Sequence, residues 1–171
     1  MKHNLAGWKH FHLNQFNLFH AKVLKIQVFN GKHDKMAGNE VKILNQFCTH
    51  LVFADREMTP NLAPILDERF TVKRVLITYT ANLEENAQRL KTIYNAHHIK
   101  ADTHLIEASF EIPIIVEELQ KLVQDIPYET LSINLSCANK LYTLGAFKAF
   151  ENTPVGLYYL LPNDQFKWVQ P

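Results

Sequence analysis

The sequence predicts an α/β domain built on a mainly parallel sheet of five or six strands, with helices on both faces. Three observations carry this expectation. From about Thr49 onward, short apolar runs alternate with amphipathic stretches. The first of these runs, Leu51-Val52-Phe53-Ala54, is flatly apolar rather than alternating, as expected of a parallel strand buried on both faces. The connections are short, while the amphipathic stretches are long enough to carry a crossover between parallel strands.

Taken in order, Leu51-Val52-Phe53-Ala54 is the first strand and ends at Asp55. The polar loop Asp55-Arg56-Glu57-Met58-Thr59-Pro60 follows, with Thr59 placed to cap a helix over Asn61–Glu68 and Pro60 at its first position. Val75–Tyr79 is the second strand. A helix from about Asn82 sets Leu83, Ala87, Leu90, Ile93 and Tyr94 on one face, with Glu84, Glu85, Arg89 and Lys91 outside. Thr103–Ile106 is a weaker third strand, and Ile112–Val123 a second amphipathic helix directing Ile115, Leu119, Leu122 and Val123 inward. Leu131–Leu135, a helix over Leu141–Phe150, Gly156–Leu161 and a short strand over Gln165–Val169 complete the series. Right-handed crossovers leave few topologies for such a chain.

The first 48 residues do not share this pattern. They hold seven lysines and five histidines against Asp34 and Glu40, whereas the rest carries 11 basic and 15 acidic side chains. Such asymmetry predicts an N-terminal appendage over residues 1–48 and a separate folding unit over 49–171. The apolar positions between Phe11 and Phe29 keep neither a helical nor a strand period, and Asn30-Gly31 and Gly38-Asn39 read as turns. Met36 offers an alternative start. The histidines at positions 3, 10, 12, 20 and 33 match no metal-ligand spacing, so no metal or cofactor is expected.

No stretch approaches the roughly 18 apolar residues of a membrane span, and the N-terminus lacks the apolar core of a secretory signal. Two sparse thiols, Cys48 and Cys137, suit the reducing cytoplasm. Cys137 reads as a small semi-buried side chain rather than a nucleophile, since no histidine lies near it in sequence.

Ligands of open parallel sheets bind beyond the carboxyl ends of the strands, where strand order reverses. The candidate loops are therefore Asp55–Asn61, Thr80-Ala81-Asn82 and Ser136–Lys140. The last passes from strand to helix through small and polar side chains. Backbone N–H groups at a helix start form an anion site, and Lys140 adds a charge suited to phosphate. The plainer reading is equally open: Ser136 or Asn139 caps the helix, and Lys140 is a solvated surface residue. Neither G-x-G-x-x-G nor G-x-x-x-x-G-K-[ST] is present, which argues against dinucleotide and P-loop sites. The G-x-S-x-G elbow is also missing. Asp55 and Glu57, with Arg56 between them, read as loop solvation rather than an acid–base or magnesium pair.

Asn134-Leu135-Ser136-Cys137-Ala138-Asn139-Lys140-Leu141 resembles the N-L-[TS]-G-G-[TN]-K-[LM] motif of the CRISPR-associated Rossmann fold (CARF) family. Thr59-Pro60-Asn61-Leu62-Ala63-Pro64 is similar to the P-N-L-x-P segment of the cyclic-oligoadenylate-activated nucleases in that family, and the final strand around Trp168 resembles the end of their sensor domain. The resemblance covers about residues 49–171 and implies a Rossmann-like fold. It also implies a homodimeric sensor of cyclic oligoadenylate, most plausibly the tetra-adenylate, in type III CRISPR antiviral defence. Carried over by position, Asn134, Ser136, Cys137, Ala138, Asn139 and Lys140 would hold phosphate and ribose groups. Asp55, Arg56, Glu57 and Thr59 would line the adjacent wall, and Thr80 and Asn82 would reach the base.

Two departures accompany it. Cys137-Ala138 stands where the motif has Gly-Gly, and glycine is the more permissive residue for close backbone approach. No nuclease core follows before Pro171, so an effector is expected either as a separate partner or in a longer protein of which this chain is a fragment. Neither a membrane nor a long nucleic acid is expected as a partner. Three functions follow: a binding sensor, a metal-independent ring nuclease using Lys140 and Ser136, or a dimerisation remnant without ligand.

Overall fold

A computed structural model describes residues 46–68, 70–107, 110–161 and 165–170. The expectations for residues 1–45, including the histidines and the two glycine turns, lie outside the described residues.

Six strands form one sheet: β1 (Thr49–Phe53), β2 (Arg74–Tyr79), β3 (Lys100–Leu105), β4 (Leu131–Asn134), β5 (Gly156–Leu160) and β6 (Phe166–Gln170). Four α-helices connect them: α1 (Thr59–Leu66), α2 (Glu84–Ala96), α3 (Ile112–Leu122) and α4 (Lys140–Phe150). The sheet order is β3-β2-β1-β4-β5-β6, parallel throughout except for β6, which pairs antiparallel with β5. This is the expected α/β, Rossmann-like arrangement, and its order reverses between β1 and β4. No helix among the described residues is long and apolar enough to cross a membrane.

The alternation of side chains along each strand divides the core between the two faces. Leu51, Phe53, Leu76, Ile133 and Leu157 point to one face, where Ile115 and Leu119 of α3 and Tyr142, Ala146 and Phe150 of α4 close over them. His50, Val52, Val75 and Ile77 point to the other, where Ala87, Leu90 and Tyr94 supply the buried face of α2. The aromatic rings of Phe47, Phe70, Phe166 and Trp168 gather around His50 and Tyr158 at the β5–β6 side. Phe47 is fully buried, and the Cys48 carbonyl accepts from the N–H groups of Lys73 and Arg74. Both residues, assigned from sequence to the preceding segment, therefore pack as part of the α/β unit.

Several boundaries differ from expectation. Thr59 is the first helical residue of α1 rather than its cap: Met58 occupies the cap position with helical dihedrals and no side-chain cap bond. The Glu57 carboxylate instead accepts the Thr59 N–H at 3.1 Å. The helix stops at Leu66, two residues short of the expected end. α2 is preceded by a single 3-10 turn, Ala81–Leu83. β3 begins at Lys100, because edge pairing with β2 through Arg74↔Lys100 and Leu76↔Asp102 recruits polar residues that hydropathy does not mark.

Candidate functional site

A cleft of about 180 Å³ opens at the carboxyl ends of β1, β2 and β4, where strand order reverses. Phe53, Ala54 and Thr78 line its strand side, Asp55 and Thr80 one wall, and Ser136–Asn139 with Tyr142 the other. Thr78 is held in place by donating its hydroxyl to the Val52 carbonyl at 3.0 Å.

The β4–α4 loop supplies the donors. Asn139 is the N-cap of α4, its side-chain oxygen accepting from Leu141 N at 3.0 Å and Tyr142 N at 2.9 Å. A turn closes with Ala138 N donating to Leu135 O. The remaining N–H groups at this start, those of Cys137, Asn139 and Lys140, have no acceptor among the described residues. Together they form the kind of anion-accepting helix start that phosphate groups use. The Cys137-Ala138 departure carries no backbone strain: neither residue has a positive φ, so the loop does not require glycine. Lys140 is exposed at the rim.

The sequence-predicted residues sort into three groups. Asp55, Thr80, Ser136, Cys137, Ala138 and Asn139 line the cleft. Arg56, Glu57, Thr59, Asn82 and Lys140 lie on the same loops without lining it; Asn82 accepts the Thr80 hydroxyl at 2.7 Å. Asn134 lies beneath the site, fully buried. Its amide nitrogen donates to Pro60 O at 2.8 Å and Asn61 Oδ1 at 3.3 Å, and its oxygen accepts from Ser136 N at 3.0 Å and Ser136 Oγ at 2.6 Å. Both ends of the side chain are committed, so it is a strut rather than a contact residue. Ser136 is partly committed too, since its hydroxyl also accepts from Leu160 N at 2.8 Å.

Two residues that build the site had no role assigned from sequence: Asn61, named only as the end of a candidate loop, and Tyr142. Asn61, 1% exposed, donates to Phe53 O at 2.7 Å, and its own carbonyl accepts the Tyr94 hydroxyl at 2.6 Å. Tyr142 lines the cleft and donates its hydroxyl to Glu107 O at 2.6 Å, tying α4 to the loop after β3. Apart from Phe53, which is 8 residues from Asn61, the partners lie 33 and 35 residues away, so no local pattern marks them. The only available signal was the pairing of an asparagine inside a P-N-L segment with one ending a strand.

Burial governs the chemistry of the Cys137 thiol. Desolvation, with the Asp55 and Glu57 carboxylates adding to it, pushes its pKa up to about 12. The thiol donates to Glu57 O at 3.3 Å and so links the two loops as a neutral group. Burial likewise raises the pKa of the Tyr94 hydroxyl. Among the described residues no three His, Cys, Asp or Glu side chains converge to hold a metal ion.

Fold and cleft together define a Rossmann-like α/β domain with hydrogen-bond donors gathered at its switch point. The sequence model of the Card1 CARF domain matches residues 54–170, and the chain belongs to that family. Among solved structures, the domain is similar to protein VC1899 from Vibrio cholerae, with a TM-score of 0.66 and 22% identity over 72% of this chain and 33% of that one. It is similar also to Can2 from Sulfobacillus thermosulfidooxidans, solved in complex with cyclic tetra-adenylate, with a TM-score of 0.63 and 17% identity over 77% of this chain and 37% of that one. A type III CRISPR defence DNA nuclease activated by cyclic oligoadenylate gives a TM-score of 0.54 and 14% identity over 72% and 20%. At these identities the likeness is one of fold, and the chain spans a fifth to about a third of each of these proteins. No curated protein matches the chain.

Proposed function

We propose that this domain is a sensor of cyclic oligoadenylate, cyclic tetra-adenylate in particular, serving type III CRISPR defence as a homodimer. The observation that carries the reading is the cleft at the β1/β4 switch point, with the N–H groups of Cys137, Asn139 and Lys140 at its rim, in a member of the Card1 CARF domain family. A ring of phosphates and adenines has repeated chemistry, which two copies of one site across a two-fold axis can meet with the same loops. In this reading the helix start takes a phosphate, Lys140 adds charge at the rim, and the Asp55 and Thr80 walls meet ribose and base.

Binding is favoured over cleavage by the state of the candidate catalytic groups. The Ser136 hydroxyl already donates to Asn134 and accepts from Leu160, the Cys137 thiol is held neutral, and no histidine lines the cleft. Among the described residues the Asp55 carboxylate is the one acidic side chain in the lining, and it already accepts the Arg56 N–H at 2.7 Å, which leaves it less free to take a proton from a ribose 2′-hydroxyl.

Calorimetric titration with cyclic tri-, tetra- and hexa-adenylate tests the proposal. Saturable binding of the tetra-adenylate at one ring per two chains is expected, with the ring recovered intact. Absence of heat with all three rings would remove it, and linear adenylates ending in a 2′,3′-cyclic phosphate would move it to the ring-nuclease reading.

A further inference from the structure

Two buried amides beneath the cleft, Asn134 and Asn61, are bonded to each other and to the backbone on either side. Asn134 gives its two amide hydrogens to Pro60 O and Asn61 Oδ1 and takes two hydrogens from Ser136. Asn61 is anchored in turn to Phe53 O. With relative exposures of 0% and 1%, neither side chain reaches the surface of the cleft, and Asn134 has both amide hydrogens and its oxygen committed. Yet they join the two loops that bound the cleft: Asn61 and Pro60 belong to α1, which follows one loop, and Ser136 opens the other.

We propose that Asn134 and Asn61 are positioning residues that fix the register of the two loops and thereby set ligand affinity without touching the ligand. The proposal rests on the cyclic-oligoadenylate reading above. Ser136 is the relay: held by Asn134 on one side and by Leu160 N on the other, it fixes where the following helix start aims its N–H groups.

Exchanging one atom group tests this. In Asn134→Asp an ionised carboxylate faces Pro60 O and Asn61 Oδ1, so three oxygens oppose one another with no proton among them. Asn61 cannot turn its amide to help, because its nitrogen holds Phe53 O at 2.7 Å. When protonated, the carboxyl donates to Pro60 O and still accepts from Ser136, much as asparagine does. A buried carboxyl ringed by oxygens has a raised pKa, so the variant regains the asparagine pattern as pH falls.

The groups around it have known behaviour or a control. Cys137, Tyr94 and Tyr158 stay protonated, and His50 stays neutral, because burial moves each away from the neutral range. The carboxylates Asp55 and Glu57 stand on the rim, and the native protein titrated in the same buffers corrects for them.

Both proteins are titrated with cyclic tetra-adenylate between about pH 5.5 and pH 8.5, and amide exchange of Ser136 and Leu160 is followed without ligand. Asn134→Asp is expected to bind roughly tenfold more weakly than the native protein at the alkaline end, and within about threefold at the acid end. Its excess exchange at Ser136 and Leu160 should close over the same interval. A gap in affinity and exchange that does not change with pH, or no gap at all, overturns the proposal. If the native protein does not bind the ring, the function reading fails, while exchange alone still decides the latch. Should Asn134→Asp unfold at the alkaline end, Asn61→Asp carries the same switch one residue further from the cleft and is decided by the same two readouts.

Discussion

One face of the sheet carries two buried polar groupings, and they are built for different ends. Towards the amino end of β1, His50 lies under a cage of aromatic rings with its Nε2 donating to Phe47 O at 3.2 Å and its Nδ1 accepting from the Tyr158 hydroxyl at 3.1 Å. Phe47 O can only accept, so these partners fix one neutral tautomer. At the carboxyl end of β4, Asn134 and Asn61 hold two loops apart at the width of a cleft. Asn134 sits opposite Tyr158 in register, yet the tyrosine aims its hydroxyl back to His50. The first grouping is sealed by side chains that could not open without losing the core. The second uses amides, which stay neutral at every pH, beside an opening. The difference separates what stabilises this fold from what shapes its site.

The largest effect is expected from acid. Burial outweighs the Phe47 hydrogen bond and lowers the His50 pKa to about 4, well under the usual value of about 6.5. A group whose cationic form is disfavoured on folding takes up its proton more readily in the unfolded chain. Its contribution is therefore complete above about pH 6.5 and is lost as pH falls toward 4, amounting to about 3 kcal/mol. The urea midpoint of the native protein should drop across that window, and His50→Gln should flatten this part of the profile. An unchanged profile would place His50 in contact with water.

At the other end, Asn61→Ala should cost about 2 kcal/mol at any pH between about 5 and 8, because it leaves Phe53 O and one Asn134 hydrogen buried without partners. The same urea series measures it. A pH-dependent loss would blur the distinction between the two groupings.

Lys140→Ala should weaken binding of cyclic tetra-adenylate by about 1 kcal/mol, with a shallower salt dependence, while moving stability by less than about 0.5 kcal/mol. Lys140 is exposed and outside the core, so a stability loss larger than that would assign it a structural part. The smallest effect concerns the thiols. Cys137, with its pKa raised to about 12, should resist iodoacetamide at about pH 8 while the half-buried Cys48 reacts. Rapid labelling of Cys137, read by peptide mass, would mean that the two loops part more readily than the amide latch allows.

The fold was legible because β1 and β2 carry flatly apolar runs. Leu51–Phe53 and Val75–Ile77 are buried along their length and mark themselves by hydropathy alone, while in β4 the buried Ser132 and Asn134 alternate with Leu131 and Ile133. β3 was placed three residues late because an edge strand has no such requirement: of its residues only Ala101 is buried. Thr59 had the composition of a cap, but Met58 continues the helical backbone before it, and the Glu57 carboxylate takes the N–H a cap would have taken. The site was legible as loops and not as roles. Position placed Asn134 among the binding residues, whereas its amide nitrogen is taken up by Pro60 and Asn61, 74 and 73 residues earlier, and its oxygen by Ser136. Long-range saturation of this kind leaves no trace in local spacing.

The central claim is that the ligand sits at the β1/β4 cleft on the free N–H groups of the α4 start. The most direct measurement is an amide NMR titration of the native protein with cyclic tetra-adenylate. The account predicts shifts concentrated on Cys137, Asn139 and Lys140 and on Asp55 to Glu57, with the amides around His50 and Trp168 unmoved. Shifts centred on the His50–Trp168 side, or no shifts at saturating ligand, would contradict it.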